Sequence, residues 1–272
     1  MKKLLTLVVT LMLTITACLG LTACGNKVKI GSQSGTTGLM YAECLKGCEV
    51  SPYDTFALAA QDLKNGKVDY VIVDGATGAS LVKEIEGLKM IDEVPLSSEY
   101  YGIAVDKNQE ELLEKINKVL ASKEDEIKQI KEKYQNGETD KYVAYDSPKI
   151  DLNNQAGQLV VATNAEFPPF EEVAGDKYVG IDIEIAKLIA DELGLTLVIS
   201  NMSFDAVVTS VGQNGVDIGM SGLTITAERK KSVNFSNPYY IESQYVLTLA
   251  SNTALDDCLT IMDVLSVLTA NK

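Results

Sequence analysis

Short runs rich in β-branched and aromatic residues alternate with helix-period stretches along most of this chain. That alternation limits the possible folds more than any other feature. Residues 28–32 read as a strand, followed by a polar, glycine-bearing turn at 33–38 and a helix from Leu39. Residues 55–64 place Phe56, Ala59, Ala60 and Leu63 on one helical face, and 68–73 form an apolar β run that ends at Asp74. A helix at 79–85 and strands at 88–91 and 100–105 follow. The stretch 109–134 is helical and highly charged, with Leu112, Leu113, Ile116, Val119 and Leu120 as a first apolar stripe and Ile127 and Ile130 as a second. A second α/β series starts with a strand at 159–163, an amphipathic helix at 182–193 and a strand at 195–199. It continues with a helix at 205–211 and strands at 216–220 and 245–250, and residues 255–268 suit a short helix. Strands that alternate with helices predict βαβ units, an α/β fold and mostly parallel sheets.

The chain has 272 residues, enough for one large domain or two small lobes. It carries 24 basic against 38 acidic residues, a net charge of −14. Such a surface repels phosphate backbones, so no nucleic-acid partner is expected. Histidine is absent, which excludes Ser-His-Asp and Cys-His nucleophile pairs and every His-containing zinc site. Five cysteines stand at positions 18, 24, 44, 48 and 258. Cys44 and Cys48 read as half-buried thiols, with a disulfide open to them in an oxidising compartment. No Cys₄ metal site, cofactor or catalytic group is expected.

The first residues read as an address. Met1-Lys2-Lys3 is a short basic start, and the apolar run 4–17 is shorter than the ~20 residues a membrane-spanning helix needs. It matches the apolar core of a signal peptide. Leu21-Thr22-Ala23-Cys24 then resembles the lipobox of bacterial lipoproteins, with Cys24 as the lipidated residue; a weaker match ends at Cys18, inside the apolar run. The body would then sit on the extracytoplasmic side of a cell membrane, tethered by lipid.

From Gln158 onward the sequence resembles the first lobe of polar-amino-acid binding proteins of ABC transporters, the type II periplasmic-binding-protein fold. The resemblance is carried by Thr163-Asn164-Ala165-Glu166-Phe167-Pro168-Pro169-Phe170-Glu171 and by Gly180-Ile181-Asp182-Ile183-Glu184. Gly215-Val216-Asp217-Ile218-Gly219-Met220-Ser221-Gly222-Leu223-Thr224-Ile225-Thr226-Ala227-Glu228-Arg229 and Asn234-Phe235-Ser236-Asn237-Pro238-Tyr239-Tyr240 continue it. The first half resembles the second lobe, through Ile30-Gly31-Ser32-Gln33-Ser34-Gly35-Thr36-Thr37, through the β run ending at Asp74, and through the crossover at 95–105. Family members run first lobe, second lobe, terminal helices. Here the order is reversed, which resembles a circular permutation with one lobe crossover lost. The expected divisions are 1–23 signal peptide, 24–99 second-lobe-like unit, 100–137 crossover strand and terminal helices, and 138–157 linker. The first-lobe-like unit follows at 158–251 and a C-terminal tail at 252–272; in the alternative of a fragment from a scrambled or tandem gene, residues 256–272 are unrelated filler.

A free amino acid needs a planar cation for its carboxylate and an anion for its ammonium. Arg229 suits the first task, because guanidinium grips carboxylate through two parallel bonds. Ser221, Gly222 and Thr224 add hydroxyl and backbone groups on the loop before it. Asp74, at the carboxyl end of a strand where open α/β sheets place their crevices, receives the ammonium by the resemblance. Thr36 and Thr37 match ligand-contacting positions of the family, and Phe167 and Phe204 match rings that flank the ligand side chain. Asn164 stands where many members carry Asp. The implied function is capture of a polar amino acid for an ABC permease by closure of two lobes. A non-transporting sensor or a non-functional rearranged protein is one alternative, and a dehydratase-like enzyme on the same fold is another.

Overall fold

The computed structural model describes residues 27–270. The leader, Cys18 and Cys24 lie outside the described residues. The first half contains β1 (Lys29–Gln33), α1 (Thr37–Cys44), β2 (Glu49–Tyr53), α2 (Phe56–Lys64), β3 (Tyr70–Asp74), α3 (Gly75–Glu84) and β4 (Leu88–Ile91). Then come β5 (Glu99–Tyr101), β6 (Ala104–Asp106), α4 (Glu110–Ser122) and α5 (Glu124–Gln135). The second half contains β7 (Gln158–Thr163), β8 (Glu166–Phe167), β9 (Glu171–Ala174), β10 (Lys177–Val179), α6 (Ile181–Leu193), β11 (Thr196–Asn201) and α7 (Phe204–Ser210). It ends with β12 (Ile218–Gly219), β13 (Val233–Phe235), β14 (Tyr240–Glu242), β15 (Gln244–Leu249) and α8 (Ile261–Leu268).

Two five-stranded sheets organise these elements. One has the order β2-β1-β3-β15-β4, the other β11-β7-β12-β6-β13. In each, the first three strands pair in parallel and the last two pairings are antiparallel. The physical reason is direction of entry: β15 and β6 arrive from the opposite lobe and meet the sheet head-on. The continuous apolar sequence of β3 follows from its place in the sheet centre, where all five residues are buried.

The lobes are not contiguous in sequence. β15 belongs to the sheet of the first half, although it lies within the 158–251 segment, and β6 belongs to the sheet of the second half. Two strands therefore cross between lobes, and β5 and β14 pair antiparallel at the crossing, Tyr101 opposite Tyr240. The expected loss of one crossover is corrected here: the chain passes from one lobe to the other twice, after β5 and after β14.

The tail is also not filler. Leu255, Cys258, Val264 and Leu268 are buried in one cluster with Val28, Ile30, Ala42, Ile72 and Val246. A capping box at Thr260 and Asp263 starts α8. The 138–157 connection lies against the lobe that comes second in this chain, the one that resembles the family's first. Tyr145 pairs with Tyr178 as a backbone bridge, Tyr142 stacks on Tyr134, and the Val143 amide donates to Glu184 at 3.1 Å. The predicted helix 109–134 is two helices, broken at Lys123. Cys44, Cys48 and Cys258 are free thiols.

Candidate ligand-binding site

Both lobes contribute loops to one small, partly open cavity of about 10 Å³, room for about one water. The first lobe supplies Gln33, Thr36, Thr37 and Asp74; the second supplies Phe167, Phe204, Gly222, Thr224 and Arg229. Local chemistry explains each placement. Thr36 caps α1 by accepting from the Leu39 amide. Asp74 ends β3 and opens α3. Gly222 has φ +52, and a Cβ there would stand 2.5 Å from the Phe167 ring, so only glycine fits.

Arg229 is buried, and its guanidinium donates to the carbonyls of Thr224 at 2.8 Å and Gly35 at 3.1 Å. Its face lies over the Phe204 ring. No carboxylate stands within ion-pair distance of it among the described residues. Burial pushes its pKa down, while the charges of Asp74 and Glu99 push the other way. A dry guanidinium with spare N–H groups and no counter-ion is a site for an anion.

Asp74 is buried too. It accepts from the Tyr101 hydroxyl and from Gln244 Nε2 at 2.8 Å. Burial raises it to about 7, with the charges of Glu99 and Glu242 adding to the rise and the Tyr101 bond opposing it. Glu99 accepts from Thr37 Oγ1 at 2.8 Å and Thr224 Oγ1 at 2.6 Å. One end of the cavity is thus cationic and the other acidic.

Eight of the ten residues expected at the site line this cavity; Ser221 and Asn164 stand behind it. Ser221 Oγ donates to Glu171 and accepts from the Asn164 amide. Asn164 Oδ1 accepts from Gln33 Nε2 at 3.0 Å, a bond between lobes. The Gly222 amide is committed to Asp182 at 2.8 Å. Sequence reasoning missed Gln33, Glu99, Tyr101 and Gln244 as site residues. Gln33, Glu99 and Tyr101 lie inside segments that carry the family resemblance, and the short crossing that brings Gln244 inward has no periodic signal.

Two α/β lobes joined by two crossing strands, with a charged cavity between them, have the type II periplasmic-binding-protein-like fold. Residues 159–263 match the profile of the bacterial extracellular solute-binding proteins, family 3. The chain is 37% identical over 91 residues to the arginine-binding extracellular protein ArtP of Bacillus subtilis, across 34% of this chain and 36% of that protein. It is 33% identical over 109 residues to the cyclohexadienyl dehydratase of Pseudomonas aeruginosa, across 39% of this chain and 40% of the enzyme. The arginine-bound form of domain 1 from TmArgBP is 37% identical, covers 44% of this chain and 98% of that chain, and has a TM-score of 0.31. The chain spans about a third of the length of the curated relatives it matches.

Proposed function

We propose that this chain binds a polar amino acid between its lobes and hands it to an ABC permease. The carrying observation is the buried Arg229 without a counter-ion, set across one cavity from buried Asp74. Arg229 takes the ligand carboxylate, Asp74 its ammonium, and Thr36, Thr37, Thr224 and the rings of Phe167 and Phe204 complete the shell. The bonds from Gln33 to Asn164 and from Arg229 to Gly35 join the lobes in the closed form. Relatives named as arginine-binding and histidine-binding proteins support an amino acid as the ligand.

The reversed lobe order is read as a circular permutation. Its support is that residues from the matching segments of both halves line one cavity, although the segments run in the opposite sequence. A dehydratase activity has a relative in its favour, but the cavity holds no histidine and its acidic groups are matched to an ammonium. Membrane attachment rests on Leu21-Thr22-Ala23-Cys24; Cys24→Ser should move the protein to the soluble fraction, and continued membrane retention would place the anchor elsewhere. Among the described residues no helix is long and apolar enough to cross a membrane.

A thermal-shift screen of the twenty amino acids with ornithine and cystine tests the binding reading. A ligand at about 100 times its Kd adds ~2.7 kcal/mol of stability. A protein that shifts with none of them does not have this function.

A further inference from the structure

Behind the cavity, the second lobe buries two carboxyls with no cation. Glu171, at the start of β9, and Asp182, in the first turn of α6, are both almost fully buried. Neither has a Lys or Arg within ion-pair distance among the described residues. The titratable groups facing them are Tyr239 and Tyr240. The next acid on α6, Glu184, is paired with Lys133 of α5, and Lys131 is bonded to the Tyr239 carbonyl.

The hydrogen bonds assign the proton. Asp182 accepts from the Gly222 amide at 2.8 Å and from the Tyr239 hydroxyl at 2.8 and 2.9 Å, so it is the ionised acceptor. Ser221 Oγ accepts from the Asn164 amide and therefore donates to Glu171 Oε1. That leaves Glu171 Oε2, buried and without a donor, on the segment that adjoins Asp182, whose amide donates to the Phe170 carbonyl at 2.9 Å. A buried carboxyl oxygen with neither a donor nor a cation beside it is the atom left to carry a hydrogen. An unpaired double charge in a dry site would otherwise be expensive.

The pair holds one corner of the binding site. Ser221 and Gly222 are fixed by it, Leu223 follows with its carbonyl on the Gly102 amide, and the Thr224 carbonyl accepts from Arg229. We propose that Glu171 and Asp182 are a positioning pair that shares one proton and, through Ser221 and Gly222, fixes the loop that orients Arg229. The proposal rests on the binding reading above only for its ligand readout. Losing the shared proton at high pH places two anions side by side, frees the corner and weakens the hold on the ligand carboxylate.

Glu171→Gln tests this, because an amide mimics the protonated acid. Wild type and variant, as the full chain, are titrated from about pH 6 to 10 with the amino acid found by the thermal-shift screen, and the Gly222 amide NMR signal is followed in the empty protein. The expected result is that the variant binds within about threefold of wild type near pH 7 and holds that affinity where wild type has lost about tenfold or more. Its Gly222 signal stays constant while that of wild type shifts at high pH. An equal alkaline loss in both proteins overturns the proposal. So does a variant that fails to fold or loses about tenfold near pH 7, since either means the protonated form is not the one required. If no amino acid binds wild type, the functional reading falls, while the Gly222 signal still decides whether the pair shares a proton.

Discussion

The guanidinium of Arg229 uses N–H groups on the carbonyls of Gly35 and Thr224 and has no carboxylate within ion-pair distance among the described residues. Truncating one partner of a buried charge pair typically costs ~2–5 kcal/mol, which is a loss of roughly 30-fold to several thousand-fold. Arg229→Ala should therefore remove amino-acid binding measurable by calorimetry. The empty variant should still melt cooperatively, because removal of an unpaired buried cation offsets the two lost carbonyl bonds. An unchanged affinity would mean that the carboxylate is held elsewhere. Asp74 gives a pH signature with a definite sign. Burial lifts it to about 7, so the empty protein is protonated there at lower pH, and a ligand ammonium must expel that proton. Affinity should fall as pH drops below about 7, by at most about tenfold per pH unit, and should level off above it. The folding contribution runs the other way: a raised carboxyl destabilises the empty fold as pH rises from the ordinary carboxylate range to about 7. Asp74→Asn should bind weakly and lose both slopes; calorimetry and denaturant melts across that range check them.

At the scale of elements, legibility followed signal strength. β3, α2, α6 and β7 carry apolar runs or stripes that admit one reading, and the residues at their ends, Asp74 among them, were placed by the same patterns. Arg229 was legible because a long motif surrounds it. β2 was not, because Glu49-Val50-Ser51-Pro52-Tyr53 is polar and holds a proline, which an edge strand tolerates. The β9–β10 hairpin and the crossing pair β5–β14 are too short for periodicity to reveal. The role of the tail was the least legible. Its spacing allowed a helix, but only packing shows that α8 closes the first lobe's core: Val264 and Leu268 have no exposed surface. Leu268→Ala should cost ~2–5 kcal/mol, the usual range for a buried leucine, read as a lower urea midpoint with an unchanged slope. Met262→Ala, on an exposed position of the same helix, should change little. Equal effects would mean that the tail does not pack into that core.

On the scale of the whole molecule, the two ends of the described chain lie together. The Glu49 amide donates to the Val28 carbonyl at 2.8 Å, and two residues earlier Gly47 stands against Thr269, whose carbonyl lies 3.1 Å from the place of a Cβ. Residues 28 and 269 are thus separated by little more than the width of one loop, on the same lobe and away from the cavity. The 138–157 connection joins elements of the other lobe over a largely exposed path, held by Tyr142, Tyr145 and Ser147. Closeness of ends is what makes permutation tolerable. It follows that segments 27–137 and 158–270 should tolerate the opposite order. A chain that starts at Gln158, joins Ala270 to Lys27 through a short glycine-serine linker and ends at Gly137 should keep both sheets and both crossing strands. Its amino-acid affinity should match that of the present order within about threefold, because the cavity residues and their supports are unchanged. Some stability should be lost with the docked tyrosines of the connection, on the order of the 1 kcal/mol typical of a stacked aromatic pair. Circular dichroism, urea melts and calorimetry on the two chains decide it. A reordered chain that folds but does not bind would show that the present connection shapes the site, and one that does not fold would remove the permutation reading.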